Sequence, residues 1–179
     1  MLKRIALTLA LVAIISTPAV AQDFQHKSWY AQAIVGLPMG NYGDFANFGL
    51  GAGAGIHVPH SAEWSFRGEA SYIYFFTDDF ADYNTSSYII PITALAQYDV
   101  KDSGFYGVGG VSLAFVNVSF EYPVEDNPIV GDLSTSDTST EFGLVVGAGY
   151  NFSPSVDFGL RFNIISDSNY LSGHATWKF

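Results

Sequence analysis

Residues 171–179 read "LSGHATWKF" and close the chain. In a soluble domain the last residues fray and their identity matters little. Here Leu171, Gly173, Ala175, Trp177 and Phe179 alternate with Tyr170, Ser172, His174, Thr176 and Lys178. One side is apolar and the other mostly polar. A period of two with unlike sides marks a β-strand with two different environments. What the apolar face touches is decided by the rest of the sequence.

Seven more segments share the period. Residues 29–37 place Trp29, Ala31, Ala33, Val35 and Leu37 on one face. Residues 48–58 set Leu50, Ala52, Ala54, Ile56 and Val58 against Gly49, Gly51, Gly53 and Gly55. Residues 64–76 set Trp64, Phe66, Ala70, Tyr72 and Tyr74 against Ser65, Arg67, Glu69 and Ser71. Residues 88–100 carry Tyr88, Ile90, Ile92, Ala94, Ala96 and Tyr98 on one face. The pattern is weaker over 105–117, where Phe105, Val111, Leu113 and Phe115 are assigned to the apolar side. It is clear again over 142–152 and 156–164. No helical period occurs after residue 21.

The start of the chain reads as a leader. Lys3 and Arg4 precede an apolar run, Ile5 to Ile15, and Ala19-Val20-Ala21 has the small-x-small form of a cleavage site. The run is too short to cross a bilayer as a helix. The expected organisation is a cleaved signal peptide, residues 1–21, and one domain, residues 22–179. Cysteine is absent, so disulfides do not hold this exported domain together. Of seven Lys/Arg, Lys3 and Arg4 leave with the leader, and the remaining five face 17 Asp/Glu. Such an acidic chain is a poor partner for nucleic acid.

The connections alternate in length. Segments 38–47, 77–87 and 118–141 are long, and 59–63, 101–104 and 153–155 are short; only 166–169 breaks the trend. Long loops at one end and short turns at the other describe an all-β, eight-stranded antiparallel up-and-down transmembrane β-barrel, with both termini on the short-turn side. A soluble sandwich shares the period, but two features oppose it. The polar faces carry few charges, namely Arg67, Glu69, Asp99, Asp157, Arg161 and Lys178. In a narrow lumen these six form an ionic network, because buried charges need partners. The aromatics gather at strand ends, with Trp29, Trp64 and Tyr98 at one end and Tyr72, Tyr74 and Tyr88 at the other. Two such bands are the interfacial girdles of a membrane barrel.

With these features the sequence resembles the small eight-stranded outer-membrane β-barrels of Gram-negative bacteria, the OmpA/OmpX and opacity type. The stretch "LPMGNYGDFANFGLGAGAG", residues 37–55, looks like the first hairpin of such barrels. The resemblance implies a multi-pass protein of the outer membrane with both termini in the periplasm. It implies contact with membrane lipid and lipopolysaccharide. It also implies that Phe179 and Trp177 form the signal read by the β-barrel assembly machinery.

The expected long loops hold Asp44, Asp78, Asp79, Asp82, Glu121, Glu125, Asp126, Asp132, Asp137, Glu141 and Asp167, in or beside them, and no Lys or Arg. Beside anionic lipopolysaccharide such loops repel unless divalent cations bridge the two, or they serve a cationic extracellular ligand. Glu121, Glu125 and Asp126 lack the ordered spacing of an EF-hand, and His26, His57 and His60 lack metal-site spacing. No resident metal or cofactor is expected beyond loosely held divalent cations. The alternating glycines of residues 49–55 are not a phosphate loop, since neither a Lys-Ser/Thr pair nor a helix follows. Some barrels of the resembled kind are lipid hydrolases or acyltransferases that use His with Ser. Ser172 and His174 are adjacent on one face here, but that face is the lumen and no acid partner is evident. The reading is a non-enzymatic surface protein serving envelope integrity or adhesion through its acidic loops, with an ionic plug in the lumen. The alternatives are a narrow porin-like channel for small or apolar solutes and, third, a lipid-modifying enzyme.

Overall fold

The computed structural model describes residues 27–44, 46–77, 84–122, 133–166 and 168–179. Eight strands follow one another: β1 (Ser28–Pro38), β2 (Ala46–Pro59), β3 (Trp64–Thr77), β4 (Asn84–Asp99), β5 (Phe105–Tyr122), β6 (Leu133–Ser153), β7 (Val156–Ile165) and β8 (Tyr170–Lys178). Each pairs antiparallel with the next, and β8 returns to β1, so the sheet is a closed barrel in strict sequence order. Closure joins the start of β1 to the end of β8. Phe179 N–H donates to the Trp29 carbonyl at 2.8 Å, and Trp29 N–H donates back at 3.2 Å. No edge strand is left in the barrel wall. The leader expected at residues 1–21 lies outside the described residues.

The two faces are reversed relative to a soluble protein. On β1, Trp29, Ala31, Ala33, Val35 and Leu37 are exposed, while Tyr30, Gln32 and Ile34 are buried. On β7, Phe158 and Leu160 are exposed, while Asp157 and Arg161 are buried. Leu144, Val146, Ile92 and Leu50 continue the exposed apolar belt around the wall. Apolar outside and polar inside suits a wall set in hydrocarbon. That is what the apolar face of the closing strand touches.

The interior of an eight-stranded barrel is only just wide enough for side chains. The glycines of β2 follow from this. A Cβ at Gly49 would sit 2.8 Å from the Phe75 ring, and one at Gly55 would overlap the Tyr30 ring. The alternating glycines therefore make room for bulky lumen residues from β1 and β3. Pro91 lies inside β4, faces the lumen and still pairs with Ala114 of β5. Towards β3 the ladder is interrupted between Ala70↔Ile92 and Ile73↔Ile89. A proline has no N–H to give to that side.

Three expectations about extent are corrected. The segment read as a 118–141 loop is mostly strand, because β5 and β6 pair without a break from Phe105↔Tyr150 to Tyr122↔Leu133. β4 starts at Asn84, shortening the 77–87 connection. The first long connection folds into a 3-10 turn, Gly40–Asp44, entered through Gly40 at φ +62°. β7 has 10 residues and β8 has 9, which suffices to cross a membrane, whereas β5 has 18 and β6 has 21. The β5–β6 ribbon therefore rises well clear of the wall. β4 flanks its base through Asn84↔Glu121 to Tyr88↔Asn117.

The lumen at the loop end is apolar, which the alternation had not suggested. Ile34, Ile73, Phe75, Ile89, Ala114, Val116, Ile165 and Tyr170 pack together there, with Tyr42 from the 3-10 turn folded in over them. Phe75 meets Tyr42 and Tyr170 edge-on at 5.1 and 5.7 Å between ring centroids. Tyr42 is held by a 2.9 Å hydroxyl contact with Ser87 Oγ, which donates to the Asn117 carbonyl. Phe75 is fully buried at 0 % exposure, so Phe75→Ala should cost roughly 3–5 kcal/mol of folding stability. Reversible urea unfolding in lipid vesicles measures this, and a loss below about 1 kcal/mol would mean the cluster is loosely packed.

Candidate functional site

The charged half of the lumen lies at the end that carries the termini. Arg67 of β3 reaches across the barrel to β7, with Nη2 donating to Asp157 Oδ2 at 3.0 Å, and both side chains are fully buried. Lys178 Nζ approaches the same oxygen at 3.1 Å, and Tyr106 OH donates to Asp157 Oδ1 at 2.8 Å. The Arg67 guanidinium lies over the rings of Tyr30 and Tyr106, at 5.6 and 5.2 Å from their centroids. Arg161 pairs with Glu69, whose second oxygen accepts from Tyr30 OH at 2.7 Å. Two ion pairs, each also held by a tyrosine hydroxyl, therefore span the lumen between β3 and β7. This placement pairs charges that have no solvent to reach, although Arg67 Nε and Nη1 and Arg161 Nη2 have no hydrogen-bond partner among the described residues.

Asp99 departs from the expected network. Among the described residues it makes no ion pair. Its Oδ1 accepts from Gln97 Nε2 at 2.7 Å and Asn151 Nδ2 at 3.1 Å. Asn151 Oδ1 accepts from Lys178 at 3.2 Å, so an amide stands between the acid and the nearest base. Lys178 instead joins Arg67 on Asp157, which is fully buried, whereas Asp99 is half-exposed.

Above the ion pairs runs a chain of neutral polar groups. Ser172 Oγ lies 2.8 Å from His174 Nε2, and His174 Nδ1 lies 3.1 Å from Gln32 Oε1. With Nδ1–H donated to Gln32, Nε2 accepts the Ser172 hydroxyl proton. Gln32 Nε2 donates to Ser71, and Asn163 Nδ2 donates to Ser172 at 2.9 Å. The third partner of the Ser–His pair is thus an amide on β1. Sequence reading missed it because Gln32 lies 142 positions from His174 and meets it only through the β1–β8 closure. The order Ser–His–Gln has the connectivity of a nucleophilic triad. Ser172 is only 1 % exposed, with its oxygen engaged by Asn163 and His174, so no face is open to an acyl group.

The acidic residues divide. Asp44 ends the 3-10 turn and is exposed. Glu121 lies on β5, and Asp137 and Glu141 lie on β6, not in loops. Serine and threonine around them extend the ladder, since both suit a strand once a partner is present. Asp78, Asp79, Asp82, Glu125, Asp126, Asp132 and Asp167 fall outside the described residues. Among the described residues no three His, Asp or Glu are placed to hold a metal. The bases are elsewhere: Arg67, Arg161 and Lys178 are in the lumen, and Lys27 and Lys101 are at the terminus end.

The aromatic positions face outward. Trp29, Trp64, Tyr72 and Tyr98 are exposed on the wall, and Tyr74 and Tyr88 are half-buried beside them. Trp64 packs on Tyr98 at 5.1 Å and Tyr72 on Tyr88 at 5.3 Å, one pair towards each end. Trp177 and Phe179 are exposed at the terminus end.

A sequence profile described as the outer membrane protein beta-barrel domain matches residues 7–177. The chain belongs to this family. Its fold matches Ail, the attachment invasion locus protein of Yersinia pestis, at TM-score 0.62 and 11 % identity, over 86 % of this chain and 97 % of that one. It matches Neisserial surface protein A at 0.56 and 20 %, over 86 % and 97 %. It also matches the N-terminal barrel of Pseudomonas aeruginosa OprF at 0.56 and 13 %, over 85 % and 97 %. At these identities the likeness is one of fold. No curated protein matches the sequence. As a member of this family the chain is an outer-membrane protein of the Gram-negative envelope, and its exposed belt is the lipid-facing surface.

Removing Asp157 should cost about 3–5 kcal/mol, because the Arg67 charge then stays buried and unpaired, and removing Arg67 should cost less, because Lys178 still reaches Asp157. Arg67→Met combined with Asp157→Leu should recover most of that loss. Urea midpoints of the two single variants and the double variant in vesicles make the comparison. Additive losses in the double variant would mean that the two side chains are not coupled.

Proposed function

We propose that this barrel is a non-enzymatic surface protein whose lumen is closed and whose activity resides in the sheet projecting beyond the wall. The observation that carries this reading is the β5–β6 ribbon, which continues in register to Tyr122↔Leu133, far past the span a membrane needs. Such a long ordered extension has no role in closing the barrel. The loop end faces outward from the cell and both termini face the periplasm, as an even number of strands with short turns at the terminus end favours. Trp177 and Phe179, exposed beside β1, serve as the handle for the assembly machinery. Divalent cations bridge the acidic rim to neighbouring lipopolysaccharide, which keeps the barrel seated among like charges.

Support for a closed lumen comes from its contents. A solute would have to pass the Arg67–Asp157 and Arg161–Glu69 pairs and then the cluster around Phe75. A porin-like reading has no observation of this kind in its favour. An enzymatic reading would need Ser172 at a surface, and it is buried.

The charge of the projecting sheet points to the partner. Ail has been seen in complex with the heparin analogue sucrose octasulfate, a polyanion. Here Asp44, Glu121, Asp137 and Glu141 occupy the loop end, and every described Lys and Arg lies elsewhere. The partner is therefore cationic, and a polyanion is repelled. Gram-negative cells displaying the chain should be retained by an immobilised polylysine surface and not by immobilised sucrose octasulfate. A variant with residues 119–139 replaced by a short turn should stay heat-modifiable on gels, as a folded barrel does, and lose that retention. Equal retention of the trimmed variant would place the binding surface elsewhere.

A further inference from the structure

Outside the ion pairs, towards the termini, the lumen opens into a cavity of about 480 Å³. Its walls carry His57 of β2, Gln97 and Asp99 of β4, Asn151 of β6 and Lys178 of β8, and the β6–β7 turn forms one lip. The cavity is blind. Inward of it lie the Arg67–Asp157 pair and then the Phe75 cluster. Two of the lining groups are unmet among the described residues. Gln97 is 1 % exposed and its Nε2 donates to Asp99 Oδ1, but its Oε1 has no partner. His57 Nε2 is also buried without one. Their cross-strand neighbours Ser65 and Arg67 carry orphaned atoms as well. Native interiors rarely leave buried polar atoms unpaired. A cavity lined in this way accepts a filler that both gives and takes hydrogen bonds.

The charges at the mouth select among fillers. Asp99 and Lys178 stand on β4 and β8, on opposite walls of the barrel. A single carboxamide joins them. Asn151 Nδ2 donates to Asp99 Oδ1 at 3.1 Å, and Asn151 Oδ1 accepts from Lys178 Nζ at 3.2 Å. Asp99 Oδ2 accepts no hydrogen bond among the described residues. Lys178 contacts Asn151 and Asp157, which leaves one N–H of its ammonium free. The span from acid to base is therefore that of one donor and one acceptor held on the same carbon. An α-amino acid head has this layout, with its ammonium and carboxylate separated by one carbon, and it carries the charges that match. Water meets the orphaned atoms equally well but has no charge to set against Asp99 and Lys178.

We propose that this cavity holds a small molecule bearing a free α-amino acid head. The ligand ammonium donates to Asp99 Oδ2 and Gln97 Oε1. Its carboxylate accepts from the remaining N–H of Lys178 and from His57 Nε2–H. The rest of the ligand points to the mouth, so the head is selected and the side chain is not. The site is a holding place and not a passage, because the inner lumen is filled. Binding does not depend on which way the barrel faces. That the ligand comes from the periplasm rests on the orientation proposed above.

The isotope-labelled barrel, refolded in phosphatidylcholine nanodiscs, is titrated with L-alanine while the side-chain amide signals of Gln97 and Asn151 are followed by NMR. N-acetyl-L-alanine, which lacks the ammonium, and L-alaninamide, which lacks the carboxylate, are the controls. L-alanine should shift both signals saturably and bind about tenfold or more tighter than either control. Asp99→Asn keeps the oxygen that Gln97 and Asn151 use and removes the charge. It should weaken L-alanine about tenfold and leave N-acetyl-L-alanine unaffected. His57→Leu should weaken N-acetyl-L-alanine and leave L-alaninamide unaffected. Equal binding of all three probes, or L-alanine binding unchanged by Asp99→Asn, would overturn the proposal. So would the lack of a saturable shift at tens of millimolar L-alanine in a barrel shown to be folded by heat-modifiable migration, since water alone would then fill the cavity. Should either variant fail to fold, the three probes on the unaltered barrel still decide.

Discussion

Two ion pairs across a lumen with no room for bulk water set the terms for the rest of this protein. Arg67 meets Asp157 and Arg161 meets Glu69 at sequence separations of 90 and 92 residues, and each bridge joins β3 to β7 on opposite walls. An isolated buried charge is prohibitively costly. The bridges therefore hold only if the barrel closes with this number of strands and this register. Tyr30 and Tyr106 hold the carboxylates in place, and the glycines of β2 leave space for the Tyr30 ring and, farther up, for Phe75. The apolar outer belt then follows from the period of two, since every residue pushed out of so narrow a lumen must meet lipid.

The lumen divides into three layers. Near the termini it is ionic, in the middle it is a chain of hydroxyl, amide and imidazole groups, and at the loop end it is an aliphatic and aromatic stopper capped by Tyr42. The ionic layer satisfies itself only in part, since Arg67 Nε and Nη1, Arg161 Nη2 and Gln97 Oε1 are buried with no hydrogen-bond partner among the described residues. The Ser172–His174–Gln32 chain has the connectivity of a catalytic relay, with all three members buried.

Much of the wall was legible in the sequence because the membrane imposes a strict alternation. The closing strand, the outward tryptophans and the lumen positions of Arg67, Glu69, Asp157 and Arg161 all follow from counting by twos. The stopper was hidden for the opposite reason. In the run "YIYFF", residues 72–76, lumen-facing Ile73 and Phe75 stand among outward Tyr72, Tyr74 and Phe76, so alternation in polarity disappears although alternation in direction persists. Tyr42 was hidden because it enters from a connection, not a strand. The extension of β6 was hidden because serine and threonine suit water on both faces, and only the β5 partner turns them into a strand. Asp99 fell outside the ion pairs because a charge count on faces cannot tell which acid a lysine reaches.

The division of labour follows. On the proposed reading, the wall and its filled interior provide the base, and the β5–β6 sheet above it carries the contact surface. Single-channel recording of the refolded barrel in a planar bilayer tests the central claim most directly, once heat-modifiable migration shows that the barrel is folded. A closed lumen predicts a silent bilayer at every voltage the membrane tolerates. Discrete, reproducible openings would contradict it, since ions would then be passing both the ion pairs and the Phe75 stopper.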